Sequence, residues 1–212
     1  MSHPDLAWSD AGTPISLLFD DPYFTGGIDE TRHVFLAGND LPARLHPHFQ
    51  VAELGFGTGL NLLALAQIAE VPVRYTSFEA FPMAADDMAR ALRPFGLPQA
   101  EELVERWREG TGFRLGQVEV QVILGDARET LAQWQGRADA WFLDGFAPAR
   151  NPELWEPDLL TEVARHTAPG GTVATYTAAG HVRRGLESAG FTVERTPGFG
   201  RKKHMTKGRM PG

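Results

Sequence analysis

No cysteine occurs in the 212 residues, which removes disulfides, thiolate nucleophiles and Cys-ligated zinc or iron–sulfur centres from consideration. The seven histidines are dispersed, and only His46 and His48 lie close together, around Pro47 in a polar stretch, so no bound metal is expected. No apolar run approaches the roughly 18–20 residues a bilayer span requires, and no membrane role is expected. Met1–Asp10 has neither the basic start nor the apolar centre of a secretory leader, which points to the cytoplasm. Lysine is nearly missing too, with three in all and each beyond residue 200. What is present, 42% hydrophobic and 22% charged residues, suits a soluble domain large enough to bury a sizeable core.

The net charge of −7 argues at first against a nucleic-acid partner, but its distribution argues otherwise. From His181 to Gly212 eight basic residues face two acids, a net of +6, whereas residues 1–180 carry −13. Such asymmetry marks one face for a polyanion, and Arg183, Arg184, Arg201, Lys202 and Lys203 are the expected contacts. An ordinary solvated hairpin is the competing explanation.

From residue 49 onward apolar runs alternate with helical patterns. Strands are expected at Phe49–Leu54, Val73–Glu79, Val118–Leu124, Ala138–Leu143 and Thr172–Thr177, with helices near 60–69, 83–92, 127–134, 152–167 and 181–189. Pro98–Gly116 reads as a helix plus loop. Phe191–Thr196 and His204–Gly208 read as a closing antiparallel hairpin. This predicts an α/β fold, a doubly wound, mostly parallel sheet with a C-terminal hairpin. Residues 1–48 break the alternation. Ile15–Phe19 and His33–Leu36 look like short strands, so these residues are expected to form an N-terminal β appendage packed on a domain spanning 49–212.

The first βα turn carries Gly55, Gly57 and Gly59, where backbone can approach a ligand that any Cβ would strike. A dinucleotide fingerprint needs glycine at position 60, and Leu60 stands there. The pattern Glu53-x-Gly55-x-Gly57-x-Gly59 instead resembles motif I of class I S-adenosylmethionine (SAM) methyltransferases. Acids close the other strands, where open α/β sheets bind ligands. Glu79 is suited to ribose hydroxyls, Asp126 to an adenine amine and Asp144 to a transferred group. Glu53, inside a strand, is expected near a methionine amino group or bonded to backbone N–H.

Asp144-Gly145-Phe146-Ala147-Pro148 is similar to the Asp/Asn-Pro-Pro-Tyr/Phe loop of methyltransferases acting on amino groups. A carboxylate there accepts an amine N–H and offsets the charge developing on nitrogen. Phe146 offers a face on which a displaced base can stack. The full set of expected cofactor contacts is Glu53, Gly55, Phe56, Gly57, Thr58, Gly59, Asn61, Glu79, Ala80, Asp126 and Ala127. Tyr23, Phe146 and Pro148 are expected on the substrate side beside the basic cluster.

Ordered motifs at Phe19–Phe24, Glu30–Leu36, Glu53–Asn61, Ser77–Pro82, Asp139–Pro152, Val182–Leu186 and Gly198–Lys203 extend the likeness over roughly residues 13–208. Through them the chain resembles the methyltransferase module of the bacterial tRNA 5-methylaminomethyl-2-thiouridine biosynthesis enzymes. The resemblance implies SAM-dependent methylation of the 5-aminomethyl nitrogen on the wobble uridine of tRNA, with Asp144 at the amine. It also implies a flavin-dependent oxidase module, separate or in a longer gene product. No second glycine-rich βαβ turn is present, so oxidase activity is not expected of this chain. A small-molecule or protein amine acceptor, and a non-catalytic SAM- and RNA-binding module, are the alternative expectations.

Overall fold

The computed structural model describes residues 3–212. Near its start β1 (Leu6–Trp8), β2 (Pro14–Ser16) and β3 (Asp21–Pro22) form a small antiparallel sheet. Helix α1 (Gly27–Thr31) follows and runs straight into a π-helical turn over Arg32–Leu36. The strand expected at His33–Leu36 is therefore helical. Val34, Phe35 and Leu36 are all buried in the main core, and a short continuous apolar run does not by its periodicity distinguish strand from helix.

The apolar runs then build one eight-stranded sheet. In chain order its strands are β4 (Phe49–Leu54), β5 (Val73–Glu79), β6 (Gly112–Leu115), β7 (Val118–Leu124), β8 (Ala138–Leu143), β9 (Thr167–Thr175), β10 (Thr192–Pro197) and β11 (His204–Arg209). Their spatial order is β10-β11-β9-β8-β4-β5-β7-β6. The five strands from β9 to β7 are parallel, and the others pair antiparallel at the two ends. Ala140 and Phe142 of β8 pack into one core and Trp141 and Leu143 into the other, so both faces are covered and Ala140–Leu143 reads as continuously apolar after Asp139.

The helices between these strands are α2 (Leu60–Ile68), α3 (Ala85–Leu92), α4 (Ala100–Glu109), α5 (Ala127–Thr130), α6 (Pro157–Arg165) and α7 (Gly180–Ser188). From β4 the chain steps outward through β5 and β7, then returns to lay β8 along the other side of β4. That reversal opens a crevice above the carboxyl ends of β4 and β8.

Three local expectations differ from what is found. The loop after α4 contains the edge strand β6, paired Gly112↔Gln121 through Leu115↔Val118. The helix foreseen from 152 is a 3-10 turn at Pro152–Trp155 followed by α6, because Pro157 opens a new helix at its first position. Pro169-Gly170-Gly171 lies within β9 and does not precede it. It is accommodated by a register shift between the pairs Ala138↔Thr167 and Ala140↔Thr172.

Candidate active site

The turn from β4 into α2 is left-handed at all three glycines, with φ of 88° at Gly55, 54° at Gly57 and 74° at Gly59. A Cβ on Gly55 would collide with the backbone oxygen of Asp144, so glycine here lets the ends of β4 and β8 close up. Buried Glu79 holds the turn from the β5 side. It accepts the Gly57 N–H at 2.9 Å on one oxygen and the Phe81 N–H at 2.7 Å on the other. Burial raises its pKa against those backbone bonds. A carboxylate has about four acceptor directions, so Glu79 retains capacity for ligand hydroxyls.

Gly55, Gly57 and Glu79, but not Gly59, line a cavity of about 650 Å³, within the range of roughly 300–1,000 Å³ usual for small-molecule sites. Phe56, Thr58, Ala80 and Ala127 also stand on its wall. Asp126 is there too, but its carboxylate is engaged. It caps α5 by accepting the Arg128 N–H at 2.9 Å and takes guanidinium bonds from Arg128 at 2.6–3.1 Å. The Arg128 hydrogen bonds hold its pKa below the usual carboxylate range. Arg128 itself lines the cavity and reaches Glu156 at 3.6 Å, a neighbour the sequence reading missed.

Asp144 begins the loop after β8, its N–H bonded to the Leu54 carbonyl at 3.1 Å. Its Oδ2 accepts from Asn61 Nδ2 at 2.7 Å. Burial pushes its pKa up to about 7, opposed by the Asn61 bond and the Lys202 charge and aided by Glu30. Glu53 lies deeper, 1% exposed. It accepts from Asn61 Nδ2 at 2.8 Å and Ser77 Oγ at 2.7 Å, side chains in place of the backbone N–H groups that were one of the two alternatives for it. Burial pushes it up to about 8. The neighbouring Tyr75 hydroxyl is fully buried beside it, and burial followed by the Glu53 charge raises its pKa.

Aromatic rings crowd the mouth. Phe146 stacks on Phe19 at 4.8 Å between centroids and meets Tyr23 edge-on at 5.0 Å, while Phe19 meets Phe81 at 5.7 Å. Asp21 accepts the Ala147 N–H at 2.8 Å, so the N-terminal segment clamps the loop that carries Asp144. Tyr176, just past β9, donates to the Gly145 carbonyl at 2.7 Å from the other side. Pro148 follows in the same loop, half-buried. The carboxyl-end rule applied to the fifth parallel strand would have found Tyr176. Asp21, Glu30 and Thr31 offered no such signal.

The basic cluster divides. Lys202 does not project outward with its neighbours. Its Nζ donates to Glu30 at 2.8 Å and lies 3.8 Å from the centroid of the Tyr176 ring, at the cavity wall. Its long apolar stem lets the ammonium reach inward to a buried acid. Arg184, Arg201 and Lys203 are exposed, with no ion pair among the described residues, while Arg183 is half-buried on α7 with its Nε unpartnered. No group of three or more metal-ligating acids or histidines occurs among the described residues, and no helix there is long and apolar enough to cross a membrane.

A family model described as S-adenosyl-L-methionine-dependent methyltransferase matches residues 97–211, more than half of the chain. The chain belongs to this family. SAM is accordingly its cofactor, and the residues present fit it: a glycine turn without side chains on its floor, Glu79 with free acceptor capacity, and a cavity of suitable volume. Among curated relatives it is 44% identical over 231 residues to the tRNA 5-methylaminomethyl-2-thiouridine biosynthesis bifunctional protein MnmC of Pseudomonas paraeruginosa, covering 99% of this chain and 35% of that protein. The corresponding protein of Ectopseudomonas mendocina is 45% identical over 96% of this chain and 34% of its own length. The chain thus spans about 35% of the length of the curated relatives it matches. Among solved structures, MnmC2 from Aquifex aeolicus superposes with a TM-score of 0.77 at 26% identity, covering 100% of this chain and 73% of that one. A precorrin-6y methyltransferase from Geobacter metallireducens, at 15% identity and a TM-score of 0.56, shares the fold, covering 98% of this chain and 100% of its own.

The buried acids make a pH prediction. A carboxyl whose folded-state pKa exceeds its unfolded value stabilises the fold fully below the unfolded value, and that contribution disappears as pH rises through the folded one. For Glu53, raised from 4.5 to about 8, the loss runs over that interval. Melting temperature should therefore decline from about pH 5 to about pH 9, and Glu53→Gln should flatten the decline, leaving the parts due to Asp144 and Glu79. Parallel curves for parent and variant would refute a buried, proton-retaining Glu53.

Proposed function

We propose that this chain transfers the SAM methyl group to the exocyclic 5-aminomethyl nitrogen of the wobble (2-thio)uridine of tRNA, giving 5-methylaminomethyl-2-thiouridine. One observation carries the reading: Asp144 sits against the glycine turn, beneath an aromatic mouth, with its carboxylate oriented by Asn61. When bound, SAM supplies a methyl carbon made electrophilic by its sulfonium. The protein has to place a neutral amine in line with it. Ionised Asp144 accepts an N–H of that amine, aims the lone pair and offsets the positive charge that grows on nitrogen. Phe146, with Phe19 and Tyr23, excludes water and offers faces on which an extruded base can stack.

On this reading Glu79 meets the ribose hydroxyls, and Asp126 or the neighbouring Ala127 backbone meets the adenine edge. A flavin-dependent oxidase module, on a separate chain or in a longer gene product, is the partner that the family resemblance implies. A tRNA substrate also makes the protein cytoplasmic. Because Lys202 is turned inward, the exposed Arg184, Arg201 and Lys203 are the phosphate contacts.

Radiolabelled SAM and tRNA from cells lacking this methylation test the proposal, with label expected in the wobble nucleoside. Neutralising Arg184, Arg201 and Lys203 together should raise KM for tRNA. It should also flatten the log–log salt dependence by roughly 0.7–0.9 per lost contact and spare SAM binding. Label entering small amines but no tRNA would overturn the tRNA assignment in favour of a small-amine acceptor.

A further inference from the structure

Asn61 stands at the second position of α2, one turn above the glycines, and is 5% exposed. Its amide makes three side-chain hydrogen bonds. Nδ2 donates to Glu53 Oε1 at 2.8 Å and to Asp144 Oδ2 at 2.7 Å, and Oδ1 accepts the Thr31 hydroxyl at 2.9 Å. An amide nitrogen carries two N–H groups, so both are spent. Its orientation is determined as well. A flipped amide would set its oxygen against the Asp144 carboxylate in its ionised, working form and lose that bond.

This arrangement does not suit a residue kept for the cofactor. Both donors point at acids of the protein, on β4 and on the loop after β8, and the acceptor points at the N-terminal segment. Asn61 also provides the one hydrogen bond that reaches the Asp144 carboxylate among the described residues. Without it the carboxylate would be free to rotate, and it would face other charged or ionisable groups unbuffered. Those groups are Glu53 from β4, Glu30 from α1, Tyr75 from β5, Tyr176 beyond β9, and Lys202 from the β10–β11 turn.

We propose that Asn61 is a positioning residue, whose forked amide fixes the rotation of the Asp144 carboxylate and keeps it a hydrogen-bond acceptor for the substrate amine. The role in turnover rests on the function proposed above. The geometry, and the first half of the test, do not. Asn61 acts through Asp144 and touches neither substrate nor methyl donor in this scheme. Thr31 anchors the amide from the opposite side, which ties the acceptor site to the N-terminal segment.

The test begins with cofactor-free protein labelled with ¹³C at aspartate carboxyls, the Asp144 resonance being assigned by its loss in Asp144→Asn. Removing a hydrogen bond to an ionised group should raise the Asp144 titration midpoint in Asn61→Ala by about one to two pH units. Asn61→Leu, which fills the space without donors, should do the same if the smaller side chain prevents folding. Ser77→Ala is the control. It removes a comparable bond from Glu53 without touching Asp144, so it should lower the melting temperature and leave the Asp144 midpoint in place. In turnover, the Asn61 variants should lower kcat about tenfold or more at neutral pH, with KM for SAM nearly unchanged, and move the acid limb upward with the midpoint. An unmoved midpoint in either folded Asn61 variant overturns the proposal. A raised midpoint in a protein whose parent methylates no tRNA would instead sink the tRNA reading and leave the positioning role standing.

Discussion

Asp144→Asn is expected to lower kcat by about 10²–10³ while leaving SAM affinity nearly unchanged. The substitution preserves shape but removes the charge that offsets a developing ammonium in a site sheltered from water. A neutral amide also places N–H groups where the reacting amine needs an acceptor. The parent should show an acid limb centred near pH 7, because the carboxyl titrates at about 7 and the carboxylate is the working form. Activity then falls as pH drops through that value. In Asp144→Asn the residual rate should lose this limb. Single-turnover methylation of tRNA across pH, together with a SAM thermal-shift titration, checks both parts. Near-parental turnover would remove Asp144 from the chemistry.

Gly55→Ala is expected to damage stability and turnover together. The residue has φ of 88°, a left-handed conformation that costs a residue with a Cβ roughly 1–3 kcal/mol. The added methyl also meets the Asp144 carbonyl oxygen, which is backbone and unable to swing aside. Relief has to come from spreading β4 and β8 at their carboxyl ends. That movement carries Asp144 away from the cavity and lengthens its bond to Asn61. Thermal melts should register the strain, and kcat should fall more than the melting temperature alone accounts for. Gly96→Ala is the comparison, since Gly96 is also left-handed, with φ of 54°, but has nothing within 4 Å of an added Cβ. Equal effects at the two positions would mean that backbone strain alone matters and that the approach to Asp144 does not.

The central strands β4 and β8 were legible because both of their faces are covered, leaving apolar runs such as Ala140–Leu143, whereas β7 was legible by alternation, with Glu119 and Gln121 exposed. Gly112–Leu115 left no such trace. It is a four-residue edge strand with one fully buried side chain, and an alternating polar segment that short looks like loop. His33–Leu36 failed for the opposite reason: its apolar density signalled burial correctly and geometry wrongly. In the site, the strand-end rule located Glu79, Asp126 and Asp144 because topology alone brings those positions together. The rule is silent about what lies across the cavity. Glu30 against Lys202 and Thr31 against Asn61 are pairings made by tertiary packing, between residues up to 172 apart in sequence, while Arg128 against Asp126 is a local pair two residues apart. Charge counting treated Lys202 like its neighbours because a tally of cations does not show which way a side chain turns.

The N-terminal segment and the closing hairpin meet at several points: Lys202 on Glu30, Arg209 on Asp40, and His33 against the Pro197 carbonyl. On a ribosome, residue 30 emerges long before residue 202. The glycine turn and Asp144 can therefore be made and begin to fold while the wall supplied by Lys202 is still inside the exit tunnel. A nascent chain at that stage has the makings of a methyl-donor site but an unfinished acceptor chamber, whose last side is set only when the hairpin closes. The chamber is therefore completed by a docking event between segments 172 residues apart in sequence.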